Sequence, residues 1–157
     1  MPFLLIISRC DMETINANNL NEYLNSETNS IPIIICTDKQ RVKKAIMDAG
    51  YQGISINALL AKELLKYEQE DRAKKVEIIL KRIVAPYDTV FIKDFEMLFD
   101  PRYKIDIIKL FCDLARHHKV IVMWPGQYQN EKLTYADTED LDYHEYNCNF
   151  YQMQIVQ

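Results

Sequence analysis

The sequence predicts a three-layer α/β fold with a mainly parallel sheet, on three observations. Residues 31–36 (IPIIIC), a continuous and largely β-branched run, and the apolar runs 89–92 (TVFI) and 120–124 (VIVMW) read as strands buried on both faces. The segments between them carry apolar residues at i, i+3 and i+4, the spacing of a helix that covers a core. Strands that alternate with such helices assemble as βαβ units, with helices on both faces of the sheet.

Residues 3–7 read equally as strand or helix. The polar, Asn-rich stretch 11–30 holds Leu20, Tyr23 and Leu24 at helical spacing, so a short helix and then a loop are expected. After the first clear strand, Thr37 at the N-cap and Gln40 at N3 fit a capping box. Val42, Ala45, Ile46 and Ala49 then form one apolar stripe, and Gly50 stands where a helix end favours glycine. Residues 53–57 make a second strand and 58–67 a helix, which the polar knot 68–72 (EQEDR) interrupts. Val76, Ile79, Leu80, Ile83 and Val84 resume the stripe until Pro86 stops it. The third strand is 89–92. Ile107, Leu110, Phe111, Leu114 and Ala115 form the next helix, with Arg116, His117 and His118 at the end where cations suit the dipole. Pro125-Gly126 breaks the fourth strand, and the loosely alternating tail 143–156 is expected to supply one or two edge strands.

The 157 residues make one domain, 1–157, with 1–30 as an N-terminal extension packed on or beside it. No apolar run is long enough to cross a bilayer and no basic n-region follows Met1, so a cytoplasmic protein without membrane contact is expected. The net charge of −4 argues against broad coating of nucleic acid. Cys10, Cys36, Cys112 and Cys148 never reach metal-ligand spacing and read as reduced, buried thiols. The three glycines, Gly50, Gly53 and Gly126, exclude a Walker A loop and a dinucleotide fingerprint.

Ligands of open α/β sheets sit at the carboxyl ends of the strands, which singles out the loops after Cys36, Asn57, Ile92 and Trp124. In TVFIKDFE, Asp94 and Glu96 follow a buried strand, where acids can hold Mg²⁺ and orient a water. The same pattern also simply marks where a strand reaches solvent. The turn after Cys36 occupies the place of a P-loop but holds Thr37, Asp38 and Lys39. Lys39 could meet a phosphate at the helix N-terminus; the Cβ on every residue and the charge of Asp38 favour a self-capped helix instead. Arg72, Lys74, Lys75, Lys81 and Arg82 form a basic ridge whose plain reading is a solvated helix face. The histidines fit no zinc frame and no nucleophile elbow is present, so neither a metal nor a catalytic residue is assigned.

The blocks FIKDFEMLFDP (91–101), DIIKLFCDLARHHKVIVMWPG (106–126) and LTYADTEDLDYHEY (133–146) resemble the BrxF family, the small P-loop protein of type III BREX anti-phage systems. The likeness runs in order through residues 31–156 and is strongest in the second half, in E-x-LFDP, W-x-G, LTYA and EY. It implies a P-loop NTPase-like sheet, ATP with Mg²⁺, and action beside other subunits of a phage-defence complex. The chain departs from the family where phosphate and metal are held: the glycine-rich loop is absent, and the Walker B-like Asp falls at Lys93. Both losses remove hydrolysis and leave the sheet, so no cofactor and no enzymatic activity are expected.

The first functional expectation is therefore a defence accessory subunit with a degenerate P-loop-like fold, acting through protein partners. Its partner surface is the aromatic stretch with Trp124, Tyr128, Tyr135, Tyr143 and Tyr146. The acids Glu131, Asp137, Glu139, Asp140, Asp142 and Glu145 lie among these aromatics, and with only Lys132 opposing they would repel a phosphate backbone. The alternatives are a nucleotide-binding NTPase using Thr37, Asp38, Lys39, Asp94, Glu96 and Arg116, and a nucleic-acid-contacting module using the basic ridge.

Overall fold

β-Branched residues dominate the centre of the sheet, and they decide how it is built. In the computed structural model, which describes residues 14–24 and 30–157, β2 (Ile33–Ile35), β4 (Thr89–Lys93) and β5 (Lys119–Met123) are neighbouring parallel strands. Ile34 lies opposite Val122, and Phe91 opposite Ile121. Among the described residues the sheet has the order β1–β9–β2–β5–β4–β3, every pair parallel, with β1 at Thr14–Ile15, β3 at Gln52–Ser55 and β9 at Gln154–Val156.

The period of two divides each apolar run between two cores. Ile33, Ile35, Phe91, Ile121 and Val156 face one side, where they meet α1 (Leu20–Leu24) and α2 (Gln40–Asp48) through Leu20, Leu24, Val42 and Ile46. Ile34, Val90, Ile92, Val120, Val122 and Ile155 face the other. There they meet α3 (Ile56–Leu64), α4 (Gln69–Val84) and α5 (Ile107–Leu114). The expected three-layer α/β arrangement is the one observed. Gly50 ends α2 at φ 90°, donating to Met47 O while Tyr51 donates to Ile46 O, a Schellman ending with Tyr51 and Ile46 both in the core.

Four expectations need correction. Thr37 does not cap α2: Lys39 is the N-cap residue and no side chain bonds the first turn, while Thr37 Oγ1 accepts only from Lys39 N–H at 3.4 Å. Pairing ends at Ile35, so residues 36–39 form a loop too long for Thr37 to reach the helix. Secondly, the break after α3 lies at residues 65–68 and takes in only the first residue of the polar knot; Glu68 is the N-cap of α4, and the rest of the knot is its first turn, with Glu70 and Asp71 where acids suit the dipole. Thirdly, of the two strands in the tail 143–156, residues 144–147 are an edge strand, but of a separate small sheet, whereas β9 lies between β1 and β2, with Ile155 and Val156 feeding both cores. Finally, residues 127–147 form an unexpected antiparallel sheet of β6 (Gln127–Gln129), β7 (Lys132–Tyr135) and β8 (His144–Asn147). Its two-residue turn, Asn130-Glu131, takes φ of 53° and 63°, the type I′ geometry for which Asn-Gly is the usual signal. The readings of residues 3–7 and of Cys10 lie outside the described residues, as does most of the loop before Ser30.

Candidate functional site

The carboxyl edge of the sheet is organised by the segment that follows β4. Phe95 is fully buried, so the residues on either side, Asp94 and Glu96, are left at the surface. Asp94 adopts φ 51°, a left-handed conformation that Asp tolerates better than most residues. Ser55 Oγ–H donates to its Oδ2 at 2.6 Å, and Asn57 N–H donates to its carbonyl at 2.7 Å. Asn57 completes a latch: its Oδ1 accepts from Met97 N–H at 3.0 Å and its Nδ2 donates to Glu96 at 3.4 Å. Both acids are thus braced against the start of α3. Sequence reading missed Ser55 and Asn57 as their partners, because each pair is 39 residues apart.

Beside this latch opens a cleft of about 540 Å³. Its walls are Lys43 and Met47 of α2, Phe91 and Lys93 of β4, and Met123 and Pro125 at the end of β5, closed by Asp94, Glu96 and Tyr135. It combines an apolar floor with two cations and two anions, which suits binding of a small molecule or a side chain. Thr37, Asp38 and Lys39 lie at the same edge, after β2, but do not line it. Arg116 is not brought to the site at all. It lies between α5 and the start of β5, at the amino edge of the sheet.

The short motifs of the second half converge on one packing unit. Phe99 stacks on Tyr135 at 3.9 Å and meets Trp124 edge-on at 5.6 Å, and Phe95 meets Phe111 at 5.1 Å. Trp124 Nε1–H donates to Thr134 O at 3.0 Å. Tyr146 is buried, its hydroxyl accepting Ile107 N–H at 3.2 Å, and burial pushes its phenol to about 12. Glu145 is held below the usual carboxylate range by Lys132, 2.7 Å away, and Asp100 by the hydrogen-bonded Arg102 guanidinium. Of the expected partner surface, Trp124 and Tyr146 therefore belong to the core and to its hydrogen bonds. Tyr128, Tyr135 and Tyr143 remain half-exposed. Against models of protein families, curated proteins and solved structures, the chain has no match.

The basic ridge is partly occupied as well. Arg72 Nε–H donates to Tyr67 O and Lys75 Nζ lies 5.3 Å over the Tyr67 ring, leaving Lys74, Lys81 and Arg82 exposed on α4. Among the described residues no group of three or more His, Cys, Asp or Glu is placed to hold a metal ion, and no helix is long and apolar enough to cross a membrane.

Cys36, Cys112 and Cys148 are free thiols. Burial, aided by the nearby Cys148, pushes Cys36 to about 12; burial likewise pushes Cys148 to about 12 and Cys112 to about 11. Thiolate is the nucleophilic form, so iodoacetamide at pH 8 is expected to label the native protein far more slowly than the urea-unfolded chain. The folded state retains protons that the unfolded thiols release above about pH 8.5, so this contribution to stability is present at neutral pH and is lost as pH rises towards 12. A urea midpoint that climbs between pH 8.5 and 10.5 would contradict this.

Proposed function

We propose that this chain is a phage-defence accessory subunit whose P-loop-like sheet has lost nucleotide turnover and which acts by contacting other proteins. The observation that carries the reading is the state of the carboxyl edge. Asp94 and Glu96, the acids available for a metal, are bonded to Ser55 and Asn57, and no residue of the turn after β2 joins them in the cleft. Thr37, Asp38 and Lys39 each carry a Cβ where a phosphate cradle needs bare backbone, and Asp38 adds a repelling charge. These residues do not fit a magnesium-bound triphosphate. The P-loop-like assignment is supported by β2 and β4 flanking β5, which sets their two loops along one edge. The defence assignment is supported by the BrxF-like blocks, whose residues form the packing unit around Phe99 and Trp124.

Thermal shift with ATP and Mg²⁺ tests the first part. A ligand at about 100 times its Kd adds about 2.7 kcal/mol, so binding at millimolar ATP would be plain. No shift is expected. A rise in Tm that Lys39→Ala abolishes would instead establish the nucleotide-binding alternative. The second part predicts methyltransferase, phosphatase-like and large ATPase genes beside this one, and co-purification with one of their products. Loss of both would sink the defence assignment.

A further inference from the structure

Next to the cleft, and sharing Glu96 with it, lies an open groove of about 600 Å³. Met97, Pro101 and Tyr103 line it together with Leu141, which belongs to the β7–β8 connection and is 92% exposed. That connection is folded: Asp137 N–H donates to Asp140 Oδ2 at 2.9 Å, and Tyr143 N–H donates to Asp140 O at 3.2 Å. Its base is fixed by Tyr135 stacked on Phe99. Leu141 is thus held out in water by an ordered frame, and a guest would meet a groove already formed.

The charge around the groove is one-sided. Glu96, Asp100 and Asp142 rim the groove, and Asp137, Glu139 and Asp140 follow on the same connection. Arg102 also lines it, but its guanidinium is bound to Asp100 at 2.6 Å, and Lys132 is bound to Glu145. Among the described residues Glu96, Asp137, Glu139, Asp140 and Asp142 have no ion-pair partner. Three of these acids, Asp142, Glu96 and Asp140, add to burial in pushing the Tyr135 hydroxyl upward, so their fields overlap at one spot. A phosphate backbone would be repelled here.

We propose that this groove receives a Lys/Arg-rich segment of a partner protein, with one apolar side chain seated against Leu141, Pro101 and Tyr103 and its cations on the acidic rim. The inference rests on the reading that the chain acts through protein partners, and it names the chemistry of that partner. Apolar contact supplies the anchor, and the unpaired carboxylates supply attraction and register.

The test uses a fluorescein-labelled synthetic peptide of seven Lys and Arg with one central Leu, and a second in which Gly replaces the Leu. Anisotropy with the full chain is expected to show saturable binding that weakens with salt, and amide shifts in NMR spectra confined to Met97, Tyr103, Leu141 and their neighbours. Leu141→Ser and the Gly peptide should each lose roughly tenfold in affinity, the worth of one buried leucine. Together they should lose little more, because they remove the same contact. Asp142→Asn should flatten the salt dependence. Equal binding of the two peptides, or shifts centred on the acidic start of α4, would overturn the proposal. So would concentration-dependent self-association abolished by Lys81→Glu, which would give the groove to a second copy. Unchanged peptide binding and partner co-purification in Leu141→Ser would overturn it while leaving the partner reading intact.

Discussion

Gly126→Ala is expected to cost about 3 kcal/mol or more, combining overpacking with a lost buried hydrogen bond. For a chain of this size that lowers Tm by roughly 10 °C. A Cβ at this position would lie 1.8 Å from Thr134 O and 2.8 Å from its carbonyl carbon. Those atoms are main chain of β7, so no rotamer change relieves the clash. The carbonyl that must move is also the acceptor of the Trp124 indole N–H, which would be left buried without a partner. Trp124 is the protein's single tryptophan, so its emission reports this site directly. A red-shifted emission maximum with a lowered Tm is the expected pair of results. Gly53→Ala is the control: its Cβ would meet only Met47 and Lys93 side-chain atoms at 3.8–4.0 Å, ordinary contact distances. Native emission and an unchanged Tm in Gly126→Ala would refute the packing described between Trp124 and β7.

Ile34→Asp should abolish folding. Ile34 is fully buried at the middle of β2, hydrogen-bonded between β5 and β9, and its side chain enters the larger core. An unpaired carboxylate there costs several kcal/mol against a total stability of about 5–15 kcal/mol. Ile34→Val keeps the shape less one methyl group and is expected to cost only about 1 kcal/mol. Circular dichroism melts separate the outcomes. The Val variant should unfold cooperatively near the wild-type temperature, and the Asp variant should show no cooperative transition. A cooperative Asp variant would mean that β2 is not the central strand.

Some features were legible because their signal is local. The runs at 33–35, 90–92 and 120–122 are unbroken apolar stretches, mostly β-branched, since each strand feeds cores on both faces. Gly50 was legible as a helix stop because its left-handed φ is a property of one residue. The small sheet was not, because its type I′ turn uses Asn130 and Glu131 without the usual glycine. The aromatic stretch was legible only in part. Tyr and Trp serve cores and interfaces equally well, and whether Trp124 and Tyr146 are buried depends on Thr134 and Ile107, groups outside their own neighbourhood.

The alternation of strands and helices from β2 to β5, and the absence of a glycine-rich phosphate loop, were determined by the sequence alone. Periodicity and glycine positions act over a few residues, within reach of a linear reading. Tertiary structure alone decided that Asp94 bonds Ser55, that Glu96 bonds Asn57, that β9 enters the sheet between β1 and β2, and that Gly126 needs to be bare. Each of these turns on which distant group arrives beside a given side chain. That is set by how the whole chain packs two cores at once, and no local pattern encodes it.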